Sequence, residues 1–321
     1  MPMHEFELIR RFFQRPEAPE GPGVVLGIGD DCALLQPAQG QQLALSVDTL
    51  VADVHFPADA DPAEIAQRAL RVNLSDLAAM GASPRWFTLA LTLPEADEHW
   101  LRAFGAGLFV AADAYGCTLV GGDTTAGPLS ITVQVMGEVA PARALRRDGA
   151  GIGDYVLVTH CLGDGAGGLA AVRGELDLPE AELAYLRARY YRPEPRLAEA
   201  QRLLGLASAA LDISDGLVAD LGHICAASDV AAQIDVETLP LSPALLALDD
   251  RARVRDWALT GGDDYELCFT VPEARMPEVG LMIARGELNA TVVGQLVTGT
   301  GVHCLLDGEP YTLEDTGYKH F

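Results

Sequence analysis

Four times in this chain an apolar run breaks on small residues followed by aspartate: LGIGDD at 26–31, LVGGDTT at 119–125, LDISDG at 211–216 and LTGGDDYE at 259–266. A single Gly-Asp or Ser-Asp step is ordinary turn chemistry and says only that a strand has ended. Four, spread through both halves, constrain the fold more tightly. They predict strands that end in carboxylate-bearing loops, in a chain whose formal net charge is already −24. Two like charges ~4 Å apart repel by about 4 kcal/mol at an effective dielectric of 20. Carboxylates gathered at one end of a sheet therefore require cations between them.

Between these corners the hydrophobic period alternates between strand and helix. Strand-like runs at 24–28, 32–35 and 43–47 precede DPAEIAQRALRVNLSDLAAMGASP, which reads as a capped helix. Asp61 is its N-cap, Pro62 its first residue, Glu64 the capping-box partner and Gly81 the stop. The strand WFTLALTL, a helix over about 95–115, the strand CTLV, a GGDTTAG loop and the strand LSITVQVMGEV follow. Pro141, an arginine-rich ARALRRDGAG and three glycines mark a linker over 138–153, which divides the chain into domains 1–148 and 149–321. The second half restarts with DYVLVTH and predicts helices near 165–173, 179–191, 194–205 and from 216. Its strands are SAALDIS, AAQIDV, YELCFTV and TVVGQLV, with a terminal hairpin turning at Asp307-Gly308. The fold class expected is α/β (α+β): two domains of mixed sheets flanked by helices.

Composition excludes several functions. A chain of 321 residues with 49% hydrophobic and 21% charged residues has the makings of two cores. Six cysteines without a Cys-x-x-Cys pair predict reduced, buried thiols rather than disulfides or zinc. The charged, amphipathic MPMHEFELIRRFF is wrong for a signal peptide, and no apolar run nears the ~20 residues that span a bilayer. A cytoplasmic protein is expected, with no membrane partner. The acidic balance argues against nucleic acid. Lys319 is the only lysine, so a phosphate-binding chain would have to rely on arginine and metal.

Asp76 falls on or beside the apolar stripe Ile65, Ala69, Val72 and Met80, where a carboxylate must be paired, protonated or bound to metal. With Asp30, Asp48, Asp123, Asp212 and Asp215 it makes a set of hard oxygen donors lacking histidine or cysteine, which points to Mg²⁺. Gly27 and Gly29 would hold Asp30 and Asp31 in a tight corner; alternation leaves open whether Asp31 turns outward. Two motifs are discounted. The run from Gly163 to Gly168 matches a dinucleotide fingerprint formally, yet no second strand ending in an acid follows, so it reads as a turn opening a helix. Ser214 sits in no nucleophile elbow. His55, beside Asp53, is open to a structural or a functional role.

The motifs LGIGDDCALL, SVDTLVADVHF, VNLSDLAAMGA, LVGGDTT, LDISDGLVADLGHI, GGDDYELCFTVP and the terminal GYKHF occur together in this order. In them the chain resembles, end to end, the bacterial thiamine-monophosphate kinase family of the aminoimidazole-ribonucleotide synthetase-like superfamily. The resemblance implies a homodimer of two-domain subunits in which ATP phosphorylates thiamine monophosphate to thiamine diphosphate. It implies magnesium at Asp30, Ser46, Asp48, Asp76, Asp123, Asp212 and Asp215, and ATP near Gly122, Asp123, Arg147 and Ser214. His55, Asp263 and Tyr318 would meet the thiamine substrate. Three positions depart from the family pattern: Val47 for threonine, Asp263 for glutamate and Tyr318 for tryptophan.

Phosphoryl transfer asks for alignment and charge stabilisation more than for a nucleophile. A phosphate acceptor is ionised already, so direct in-line transfer with Arg147 as a clamp is the expected mechanism. Two rivals stay open: another ATP-dependent synthetase of the superfamily, and a non-catalytic Mg-nucleotide sensor.

Overall fold

The computed structural model describes residues 5–15 and 21–318. Lys319 and the rest of the terminal motif, and the first four residues of the amphipathic start, lie outside the described residues. Two compact units emerge: Met1–Leu77 with Ala82–Ala142, and Ala78–Gly81 with Arg143–Phe321.

The first unit runs α1 (Glu5–Phe12), β1 (Val24–Leu26), β2 (Leu34–Leu35), β3 (Gln42–Val51), α2 (Pro62–Ala79), β4 (Ser83–Leu93), α3 (Glu98–Ala114), β5 (Thr118–Ala126) and β6 (Ser130–Val139). Its sheet has the order β3-β6-β4-β5, with β4/β5 parallel and the other pairs antiparallel. α2 starts as its sequence dictates: Asp61 Oδ1 accepts the Ala63 and Glu64 N–H groups at 2.8 and 3.3 Å. Gly81, at φ +65°, follows its end. The single apolar stripe expected for α2 is too narrow. Leu70, Asn73, Leu74 and Ser75 are buried along with Ile65, Ala69 and Val72, as befits a helix covered almost all round, whereas Met80 lies past its end and is exposed. α3 approaches α2 at Gly107, where a Cβ would stand 2.2 Å from the Ala63 carbonyl oxygen. That is the close contact its missing side chain permits.

Two corner expectations need correction. GGDTTAG is not a loop, because β5 continues through Gly121, Gly122 and Asp123, paired in parallel with β4. A register shift at Phe87/Thr88 and the bare Gly122, whose Cβ would meet the Leu89 carbonyl oxygen at 1.8 Å, let the two strands run on together. Asp48 likewise sits inside a strand, because β3 extends to Val51.

The second unit runs β7 (Tyr155–Thr159), α4 (Asp164–Val172), α5 (Glu180–Tyr191), α6 (Leu197–Leu203), β8 (Ala209–Asp212), α7 (Leu217–Ser228), β9 (Ala231–Asp235), α8 (Pro243–Leu246), α9 (Arg251–Thr260), β10 (Leu267–Val271), α10 (Met276–Ala284), β11 (Ala290–Val297), β12 (Gly301–Leu306) and β13 (Glu309–Pro310). The sheet order is β13-β12-β9-β11-β7-β10-β8, and only β9/β12 are parallel. Its central strands are apolar throughout because both faces are covered. On β7, Val156 and Val158 pack into the core that includes Leu217, Leu221 and Ala258, while Leu157 points the other way, toward the core of Leu203, Phe269 and Val279. The terminal hairpin turns where expected, with Asp307 and Gly308 both left-handed. The fourth corner differs from expectation: α9, not a strand, leads into GGDDYE.

Among the described residues no helix is long and apolar enough to cross a membrane. The cysteines are free, four of them buried, Cys161 partly so, and Cys32 exposed contrary to expectation.

Candidate functional site

In the first unit the 26–35 corner is built as its glycines allow. Gly29 has φ +134°, and Asp30 Oδ1 accepts the N–H of Asp31 at 2.9 Å. Gln14 on the segment after α1 donates to the Ile28 carbonyl at 3.1 Å and ties the corner down. Asp30 and Asp31 both stay exposed. They line a cavity of ≈ 900 Å³ whose wall also includes Gly121, Gly122 and Asp123 of β5 and Arg10 of α1. The structure thus brings together Asp30, Gly122 and Asp123, from opposite ends of the unit's sequence. Arg10 is the cation that sequence reasoning missed; it lies on a helix whose pattern reveals only amphipathicity.

Alternation along β3 turns Ser46 and Asp48 to one face. Ser46 Oγ donates to Asp76 Oδ2 at 2.5 Å, and Asn73 Oδ1 accepts the edge-strand N–H of Asp48 at 3.0 Å. Asp76 is therefore a half-buried carboxylate facing the strand, as its place beside the apolar stripe of α2 implied. Val47 points the opposite way and is 55% exposed. Its departure from threonine therefore leaves the Ser46–Asp48 face unchanged. His55 belongs to the turn after β3: its Nδ1 accepts the Val51 N–H at 3.0 Å, and its own N–H donates to the Val51 carbonyl at 2.9 Å. Nδ1 is therefore unprotonated, and the ring is neutral while that bond lasts.

In the second unit β8 delivers Asp212, 6% exposed, to the DISDG loop. Asp220, one turn into α7, organises that loop. Its Oδ2 accepts the N–H groups of Ser214, Asp215 and Gly216 at 3.0, 3.0 and 3.1 Å. Burial, aided by the Asp215 charge, pushes the Asp220 carboxyl up to about 6 against the pull of those N–H donors. The neighbouring loop is joined to this one, with Asp263 N–H donating to the Ser214 carbonyl at 2.8 Å. Tyr318 N–H donates to the Asp215 carbonyl at 3.0 Å, so Ser214, Asp215, Asp263 and Tyr318 come together. Arg147 is exposed in the linker, its carbonyl accepting from Ser228 Oγ at 2.8 Å.

Beneath these loops lies a buried polar network that sequence reasoning also missed. Glu266 accepts from Thr159 Oγ1 at 2.6 Å, from both Nε and Nη2 of Arg196 at 2.6 and 2.5 Å, and from Arg189 at 2.8 Å. Asp164 accepts from Tyr185 and Ser242, each at 2.6 Å. Gly163 is the left-handed N-cap of α4 and the rest of the Gly163–Gly168 run lies inside that helix, as the reading of a turn opening a helix expects.

Among the described residues no three His, Cys, Asp or Glu side chains stand close enough to hold a metal ion. The donors still suit Mg²⁺. They are all oxygen, and Asp30 and Asp123 are exposed on one cavity. Mg²⁺ commonly uses only one or two carboxylates, completing its shell with water and substrate phosphates.

Residues 29–139 match the model of the AIR synthase related protein N-terminal domain, and residues 151–306 match its C-terminal domain. A thiamine-monophosphate kinase of Escherichia coli K12 is 50% identical over 319 residues, 99% of this chain and 98% of that one. The solved thiamine-monophosphate kinase of Stenotrophomonas maltophilia K279a is 49% identical with a TM-score of 0.84, covering 90% of this chain and 93% of its own. AaThiL complexed with AMPPCP and TMP is 34% identical with a TM-score of 0.79, at 89% coverage of both chains.

Proposed function

The chain belongs to the thiamine-monophosphate kinases, built from the two domains of the AIR synthase related proteins, and on that premise we propose how its residues carry ATP-dependent phosphorylation of thiamine monophosphate to thiamine diphosphate. Asp30, Ser46, Asp48, Asp76, Asp123, Asp212 and Asp215 would hold Mg²⁺. Bound there, Mg²⁺ supplies charge neutralisation and Lewis-acid polarisation at the transferring phosphoryl group.

The chain's own residues align the reactants. Gly122 exposes backbone beside Asp123 where a polyphosphate needs close approach. Arg147 and Ser214 contact the nucleotide, the arginine as a bidentate clamp on phosphate. His55, Asp263 and Tyr318 recognise the acceptor, with the tyrosine ring offering a flat face for stacking. Neutral His55, held at Nδ1, orients rather than deprotonates, because the attacking phosphate oxygen is already ionised. Transfer is direct and in line, without a phosphoenzyme.

The observation that carries this reading is the single cavity of ≈ 900 Å³ on which Asp30, Gly122 and Asp123 meet. Through Asp30, Gly122 and Asp123 the first unit accordingly offers contacts to the nucleotide and its metal. The working form is a homodimer in the cytoplasm. Leu43, Leu45 and Val47 make an exposed apolar row on edge strand β3, a surface suited to a second copy. The mechanism is tested with ATP made chiral at its γ-phosphorus. One in-line step inverts configuration in thiamine diphosphate; retention would contradict it.

A further inference from the structure

Asp264 stands between two residues held in a conformation that side chains disfavour. Asp263 has φ +71° and Tyr265 φ +52°, both left-handed and neither glycine. Aspartate tolerates this region better than most residues, but tyrosine does not, so the surroundings must enforce the pair.

Asp264 is 1% exposed, and its carboxylate carries two main-chain donors. Oδ2 accepts the N–H of Gly163 at 2.7 Å, and Oδ1 accepts the N–H of Gly165 at 2.9 Å. Those donors are the N-cap and the second residue of α4, and Gly163 to Gly165 form the glycine turn by which that helix begins. The turn comes this close only because residue 165 lacks a side chain: its Cβ would lie 2.4 Å from the carbonyl carbon and oxygen of Asp263. On the other side the loop is stitched to residues 213–215, through Asp263 N–H to the Ser214 carbonyl and Tyr265 N–H to the Ile213 carbonyl, both 2.8 Å. The Tyr265 hydroxyl reaches back to Asp263 Oδ1 at 3.1 Å. The 263–265 segment is thus clamped between the glycine turn and the DISDG loop, with Asp264 as the only side chain bonding it to the turn among the hydrogen bonds described.

We propose that Asp264 is a positioning residue for acceptor recognition. By gripping the glycine turn through both carboxylate oxygens, it holds Asp263 left-handed and so sets where the Asp263 carboxylate meets thiamine monophosphate. The inference rests on the assignment of Asp263 to the acceptor. It assigns Asp264 no contact with substrate. It also gives the GDGAGG run a purpose: the turn is a backbone anchor for the neighbouring loop rather than a nucleotide cradle.

The test compares Asp264→Asn and Gly165→Ala with Thr270→Val, which removes a buried hydroxyl bonded to Ser208 Oγ and Ala209 N–H on the same unit's sheet. Asparagine keeps the shape but turns a donor toward an N–H. Alanine at 165 pushes on the same loop while sparing the carboxylate, and it stands in should Asp264→Asn fail to fold. Both are expected to raise the KM for thiamine monophosphate by about tenfold or more while the KM for ATP stays within about twofold; Thr270→Val should change neither. An unchanged acceptor KM in the loop variants, or an equal rise in Thr270→Val, overturns the proposal. Amide hydrogen exchange, measured without substrate, separates the clamp from the functional reading. Protection of the 263 and 265 amides should fall about tenfold or more in the loop variants and hold in Thr270→Val. Retained protection overturns the clamp, whereas a wild-type protein inactive on thiamine monophosphate contradicts the functional reading and leaves exchange to decide the clamp.

Discussion

Asp30 and Asp220 put one chemical group to opposite uses. Asp30 lies exposed on the cavity, its backbone bent by Gly29; Asp220 is turned inward onto three main-chain N–H groups. Only the first can lend its charge to a bound cation. Asp30→Asn should therefore lower turnover on the order of 10²-fold, with part of the loss recovered at high Mg²⁺ and the melting temperature unchanged. Wild-type turnover in that variant would contradict the assignment. Asp30 could be picked out as a candidate because Gly27 and Gly29 precede it after an apolar run. Asp220 and Asp264 were not, because a carboxylate that binds backbone N–H leaves no spacing signature; its partners are set by where loops meet in space. A third carboxylate, Glu138, predicts a pH dependence of stability. Desolvation pushes it up, but the Ala38 N–H, the Arg85 hydrogen bond and the guanidinium charge together outweigh burial and hold it below the usual range. A lowered folded value means stability that is complete above the ordinary value of about 4.3 and lost as pH falls through the folded one. Denaturant titration should find wild type more stable than Glu138→Gln near about pH 6, with the difference closing toward about pH 3. An equal difference at both would contradict this.

At the scale of elements, most strands and helices follow from period and caps, and the exceptions have local causes. β5 runs through Gly121-Gly122-Asp123, where turn chemistry predicted a loop, because β4 approaches too closely for any side chain at 122. α9 stands where an apolar strand was expected before GGDDYE because Trp257, Ala258 and Leu259 are short-range ambiguous between the two states. Edge strand β3 presents two different faces. Ser46 and Asp48 face α2, and Leu43, Leu45 and Val47 face outward at 40%, 55% and 55% exposure. A single charge on the outward row, Leu45→Glu, is expected to convert the proposed dimer to a monomer in sedimentation while keeping the fold. A dimer that survives the substitution would place the interface elsewhere.

For the whole molecule, charge is the governing quantity. A chain at net −24, whose only lysine is Lys319, must accept two phosphorylated reactants. Arginine supplies some of the compensation; in the proposed mechanism divalent metal supplies the rest. The carboxylates are divided between two units, five of the seven proposed metal-binding residues in the first and two in the second. Sequence motifs named these residues individually; that Asp30 and Asp123 share a cavity and that Ser46 bonds Asp76 needed the strand pairings. The most direct measurement is product formation by the purified protein supplied with ATP and thiamine monophosphate, with and without Mg²⁺. Thiamine diphosphate should form at a catalytic rate with Mg²⁺, stop on chelation and resume when the metal is restored. Steady turnover in the presence of chelator, or no thiamine diphosphate with Mg²⁺ present, would contradict the account.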